Sequence, residues 1–142
     1  MSHAKVHWLF VFGTLKQGHP NHHLNQARLA DENCLTLDPY PLYLVGERYS
    51  PWLIDEPGKG YRVSGELYRV DDAKLHRMDQ LERIDKHDGY QRKAIAVETS
   101  QHEKIKAQCY LKTPSQLRGA DIRLGPLHDY QQQHAALYRS RS

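Results

Sequence analysis

A chain of 142 residues with 39% hydrophobic and 26% charged positions suits one polar domain with a buried core. Net charge is +3 with no basic block, which weighs against a nucleic-acid partner; the ten histidines add positive charge only below about pH 6.5. No apolar run approaches the roughly 18 residues of a membrane span, and no secretory signal pattern opens the chain, so the expectation is a soluble, cytoplasmic protein with no membrane partner.

Residues 5–12 predict a central strand with two apolar faces, Trp8, Phe10 and Phe12 on one and Leu9 and Val11 on the other. FGTLKQGHPNHHL (12–24) follows as a loop with two glycines, whose backbone N–H groups can approach an anion. NHHLNQARLA (21–30) predicts a short helix with Asn21 as N-cap. CLTLD (34–38), PLYLVG (41–46) and SPWLID (50–55) read as strands, the last ended by the turn signal EPGKG. YRVSGELYRV (61–70) is a further strand, with Gly65 at a bulge or a close approach. Asp71–Asp72 cap a helix running to Leu81 or Ile84. YQRKAIAVET (90–99) and KIKAQCYLK (104–112) form a hairpin, and PLHDYQQQHAALY (126–138) predicts a last helix. Many strands with few short helices give a mixed α+β domain, plausible as a small closed or partly closed barrel.

On the helix after Asp72, with Leu75 as origin and about 100° per residue, Met78 falls near 300° and Glu82 near 340°. Glu82 is thus centred on the apolar stripe, where a carboxylate is costly unless paired, protonated or in a cavity. Burial raises such a group toward neutral pH, which is how a general base is made. The plainer reading lets Glu82 reach water at the helix end or pair with Arg92. Glu66 and Glu47 are rivals, but strand alternation lets both face solvent. Trp52, Tyr61, Tyr68, Tyr90 and Tyr110 are candidates to line a pocket, against an ordinary packing role.

Three histidines, His19, His22 and His23, cluster at the loop without a nearby carboxylate or HExxH-like spacing, so no metal site is expected. Cys34 and Cys109 lie in apolar stretches and read as buried free thiols. No serine sits in a nucleophile elbow, neither cysteine opens a helix, and GxxxxGK[ST] is absent.

Taken together, the loop and Glu82 carry a resemblance to the gamma-glutamylcyclotransferase-like (AIG2-like) family, closest to its gamma-glutamylamine cyclotransferase branch. FGTLKQGHPNHHL is similar to the family's YGTL opening, and PYPLYLVGERYSPWLIDEPG (39–58) resembles the branch's middle segment. SGELYRVDDAKLHRMDQLE (64–82) resembles the strand and helix that end in the family's catalytic glutamate, and GYQR (89–92) the Tyr-x-Arg beyond it. Phe12 stands where the family has tyrosine, and RIDKHDG (83–89) is longer and lacks a proline. The resemblance covers residues 6–112, giving one domain over 1–142 with its core at about 5–113 and a poorly matched tail at 114–142.

The resemblance implies a small mixed six-stranded β-barrel with flanking short helices and a pocket at one end. It implies a small-molecule γ-glutamyl substrate, no cofactor and no metal. The substrate's α-amine attacks its own γ-carbonyl, giving 5-oxoproline and a free amine, with Glu82 as catalytic base. Phe12, Gly13, Thr14, Leu15, Trp52 and Tyr110 are the expected substrate-binding residues. Open alternatives are γ-glutamyl removal from another amino acid or pathway intermediate, and a non-catalytic small-ligand domain on the same scaffold.

Overall fold

A computed structural model describes residues 5–22 and 27–139. Strand β1 (Val6–Val11) lies antiparallel to β5 (Ser64–Asp71), from Val6 opposite Asp71 to Val11 opposite Glu66. On its other side β5 pairs with β2 (Arg28–Thr36), which is irregular between Leu29 and Asp31 and again between Asp31 and Cys34. β2 meets β6 (Gln91–Glu98) at Leu35 and Thr36, and β6 forms a hairpin with β7 (Lys104–Leu111). β7 then touches β1 in parallel at Leu9 and Gln108, which closes a ring in the order β1-β5-β2-β6-β7.

The mixed α+β class is therefore as expected, but the ring counts five strands rather than six. The segments at 41–46 and 50–55 leave the barrel instead. β3 (Leu42–Val45) pairs with β4 (Ser50–Leu53) and with β8 (Ile122–Leu124) in a separate three-stranded sheet. A bend at Leu37–Asp38 and a turn around Glu56–Gly58 redirect the chain there, with isolated bridges between Tyr40 and Tyr61 and between Ile54 and Lys112.

Gly65 is a close approach, as its place in the strand predicts. A Cβ there would lie 2.4 Å from the Val11 carbonyl oxygen and 2.6 Å from the Phe10 ring. The core is filled by Phe10, Leu42, Leu53, Val63, Leu67, Val97 and Leu111 on one side of β1, and by Leu9, Val11, Tyr68, Val70, Leu75 and Met78 on the other. From Leu9 to Val11 both faces of β1 are thus buried, which explains the apolar run there.

The helix expected at 21–30 is not formed where it can be compared. Residues 28–30 open β2, and residues 23–26 lie outside the described residues. Arg28 and Leu29 pair with Arg69 and Tyr68, so the ladder to β5 overrides a local helical pattern with no buried stripe of its own. The last helix shrinks to α3 (Gln132–Ala135), and α2 (Pro114–Leu117) is added, closed by a reciprocal Thr113–Gln116 capping box. Among the described residues, no helix is long and apolar enough to cross a membrane.

Candidate active site

After Val11 the chain leaves the barrel and turns, with the Lys16 N–H donating to the Gly13 carbonyl at 3.0 Å and the Asn21 N–H to the Thr14 carbonyl at 2.9 Å. Gly13 packs so closely on the second sheet that an added Cβ would lie 2.7 Å from Cγ of Pro51. From the barrel side the loop is held by Glu66, whose carboxylate accepts from the Gln17 N–H at 2.8 Å and from the Tyr68 hydroxyl at 3.0 Å. Strand alternation suggested a solvent-facing Glu66; it is buried, because the loop folds over that face of β5.

The C-terminal segment holds the loop from outside. Lys16 Nζ donates to Asp129 at 3.0 Å, Gln132 Nε2 to the Gly18 carbonyl at 2.9 Å, and Asn21 Nδ2 to both Thr14 Oγ1 at 3.0 Å and the Tyr138 hydroxyl at 3.1 Å. His19 packs on Tyr130 at 5.3 Å between ring centroids, and His22 Nδ1 lies 3.1 Å from the Leu15 carbonyl; His23 is outside the described residues.

Helix α1 (Asp72–Leu81) starts at Asp71, whose carboxylate accepts the Lys74 N–H at 2.8 Å, and ends with Glu82 as C-cap. Leu75 and Met78 are buried as the helical wheel requires. Glu82 is half-buried, and its carbonyl accepts the Tyr90 N–H at 3.0 Å, which ties the helix end to the start of β6. Arg92, the partner considered for Glu82, ion-pairs with Asp79 at 2.9 Å and donates to Gln108.

Asp79 was missed by sequence reading, although the same wheel places it about 40° from Leu75, inside the stripe. It is buried and also accepts the Tyr110 hydroxyl at 2.7 Å. Burial, and then that bond to a carboxylate, push the Tyr110 hydroxyl well above its ordinary range, so it stays a donor at all physiological pH.

A cavity of about 1180 Å³ opens where these pieces meet. Phe12, Gly13, Thr14, Leu15, Trp52, Glu82 and Tyr110 all line it, so the expected base and the expected substrate-binding residues border one space. Tyr90 lines it too, with its hydroxyl donating to the Pro51 carbonyl at 2.9 Å. Tyr61 is exposed, and Tyr68 is spent on Glu66. Glu47 lies exposed at the rim.

Tyr138 and Lys112 are among the wall residues that carried no sequence signal. Tyr138 arrives from the tail, and Lys112 continues an ordinary strand alternation. Lys112 is 3% exposed, with its ammonium 4.5 Å from the Trp52 ring centroid and 4.4 Å from that of Tyr90. Both cysteines are free and buried; burial pushes the Cys34 thiol up to about 12 and Cys109 higher still, so neither supplies a thiolate.

The sequence model described as gamma-glutamyl cyclotransferase, AIG2-like, matches residues 9–132. A bovine protein named gamma-glutamylaminecyclotransferase is 36% identical over 94% of this chain and 82% of its own length. The mouse protein of that name is 40% identical over 67% of this chain and 66% of its own. The crystal structure of a mouse AIG2-like protein superposes with a TM-score of 0.78 at 30% identity, covering 96% of this chain and 97% of that one. Loop, helix and cavity thus coincide with a match through the barrel and into the tail, and the chain belongs to the AIG2-like gamma-glutamyl cyclotransferase family.

Proposed function

We propose that this chain is a cyclotransferase that converts γ-glutamylamines, such as ε-(γ-glutamyl)-lysine, to 5-oxoproline and a free amine. The observation that carries the reading is the single cavity shared by Glu82 and the 12–15 loop. The loop backbone is held by bonds from the Lys16 and Asn21 N–H groups to the Gly13 and Thr14 carbonyls, and the backbone N–H groups of residues 13–15 are the candidates to meet a carboxylate or an oxyanion. The names of the bovine and mouse relatives agree with this chemistry.

The reaction needs no nucleophile from the protein. The substrate's α-amine attacks its own γ-carbonyl, a C–N bond closes the five-membered ring, and the original amide C–N bond breaks. Holding both ends in one folded conformer supplies much of the rate, since effective molarities reach roughly 10⁵–10⁸ M. Glu82 takes the proton from the α-ammonium and returns it to the departing amine.

The test is incubation with ε-(γ-glutamyl)-lysine and quantification of 5-oxoproline and lysine. Wild type is expected to release both in equal amounts, and Glu82→Gln to fall by about 10²–10⁴-fold, the usual worth of a positioned base. No release from this or any other γ-glutamylamine would remove the substrate assignment. Activity that survives Glu82→Gln would remove the mechanism.

A further inference from the structure

Asp79 on α1 and Glu82 at its C-cap are three residues apart, so about one turn separates two carboxylates on one side of the helix. Like charges that close oppose each other, and a helix end that offers one base has to neutralise the other group. Arg92 and Tyr110 are direct partners across the β6–β7 hairpin, and both reach Asp79. Arg92 Nε lies 2.9 Å from Asp79 Oδ1, and the Tyr110 hydroxyl donates to the same oxygen at 2.7 Å. Arg92 Nη1 donates to Gln108 Oε1 at 2.9 Å, a neutral acceptor that fixes the guanidinium and leaves its charge for Asp79. The Tyr90 N–H, two residues back along the chain, donates to the Glu82 carbonyl at 3.0 Å. One short stretch, residues 90–92, therefore grips the helix both at Glu82 and at Asp79.

The fields of these groups overlap at Tyr110. Burial, then the bond to Asp79, then the charges of Asp79 and Glu82 hold that hydroxyl up, and Arg92 opposes them. Glu82 and the guanidinium thus act on one phenol, within the range where a charge matters to a base. Other charges surround them. His7 of β1 and Asp72 and His76 of α1 line a small pocket of about 160 Å³ with Asp79 and Arg92. Glu82 shares the large cavity with Tyr90, Lys112, His87 and Asp88, and with Glu47 and Arg48 of the β3–β4 turn, while its charge also reaches Cys109. All of these are common to the variants compared below, so a shift that reverses sign between two variants belongs to Asp79 and Arg92.

We infer that Arg92 is a positioning residue that acts on Glu82 through Asp79: its ion pair cancels the charge one turn from Glu82 and so sets the pH at which Glu82 takes a proton. The link to catalysis rests on the reading of Glu82 as the base. The test follows Glu82 itself, by 13C NMR of protein labelled at the glutamate side-chain carboxyl, with its signal identified by loss in Glu82→Gln. Arg92→Met leaves the Asp79 charge without its cation, and the Glu82 midpoint is expected to rise by about half a pH unit or more. Asp79→Asn leaves the cation without its anion, and the midpoint is expected to fall by a similar amount. The double variant removes both charges and is expected to return to within about 0.2 of wild type. Arg92→Lys keeps the charge and is expected to stay near wild type; with Arg92→Met it carries the test alone if Asp79→Asn does not fold.

The acid limb of kcat/KM for ε-(γ-glutamyl)-lysine, measured on the same proteins, separates this inference from the proposed reaction. A limb that follows the NMR midpoints supports both. Midpoints that move as expected, while the limb stays still or no turnover is found, support the inference and remove Glu82 as the base. Shifts of one sign in both single variants, no shift in Arg92→Met, or an equal shift in Arg92→Lys overturns the inference and leaves Arg92 as a brace between α1 and the hairpin.

Discussion

Gly13 leaves no room for a side chain where the loop crosses Pro51. Gly13→Ala must push the loop or β4 aside, at a cost of about 1–3 kcal/mol by analogy with overpacked cores. Because the loop and Glu82 share one cavity, the expected result is a lowered melting temperature and a larger loss of kcat/KM than stability alone explains; thermal denaturation and steady-state kinetics on one preparation check it. Asp79 acts at one remove from the cavity. It holds Tyr110 and Arg92 together, so Asp79→Ala strands the buried Tyr110 hydroxyl, at about 1–3 kcal/mol. Asp79→Asn keeps an acceptor and is expected to recover much of that loss in a denaturant titration, at the price of the ion pair with Arg92.

At the scale of elements, the site depends on a clamp between the loop and the C-terminal segment. Asn21 is its hinge, because one amide reaches both Thr14 and Tyr138. Asn21→Ala is expected to cost about 1–2 kcal/mol and to raise KM for a γ-glutamyl substrate more than it lowers kcat, since the bond loss loosens the loop without touching Glu82. Tyr138→Phe, which removes one acceptor only, is expected to show a milder form in the same assay. This clamp was not legible in the sequence, because a pairing between residues 21 and 138 leaves no local pattern. β1, α1 and the β6–β7 hairpin were legible, because each buries a stripe or strand at its own period. The start of β2 was misread, because its pattern is mostly exposed and only its partner β5 defines it. For the site, periodicity marked Glu82 and could have marked Asp79. Lys112 was hidden, because a lysine after an alternating strand looks like a solvated edge until Trp52 and Tyr90 are seen to enclose it.

Across the whole molecule, the tail-to-loop junction is also where stability becomes sensitive to mild acid. Burial lowers His19, helped by the positive charge of Lys16, while Glu66 and Asp129 pull the other way. Burial also lowers His134, against Asp129 and with Lys16. His134 Nδ1 accepts the Gln131 N–H at 2.9 Å, a bond that only a ring with an unprotonated Nδ1 can make. Both rings flank Tyr130, at 5.3 and 6.0 Å. A histidine lowered in the folded state binds fewer protons than in the unfolded chain, whose value is 6.5. Stability from these groups is therefore complete above pH 6.5 and is lost as pH falls through the folded values. Carboxylates act in a separate window. The Arg62 hydrogen bond, then His102, hold Glu98 below its ordinary 4.5, so its contribution is lost only under stronger acid. Melting temperature is accordingly expected to fall in two stages, one below pH 6.5 and one below about 4.5. In a His19→Gln, His134→Asn double variant, where the asparagine oxygen stands in for Nδ1, the upper stage should flatten while the lower persists. A wild type with no slope between pH 6.5 and 5, or a double variant with an unchanged one, would show that the junction does not carry this pH response.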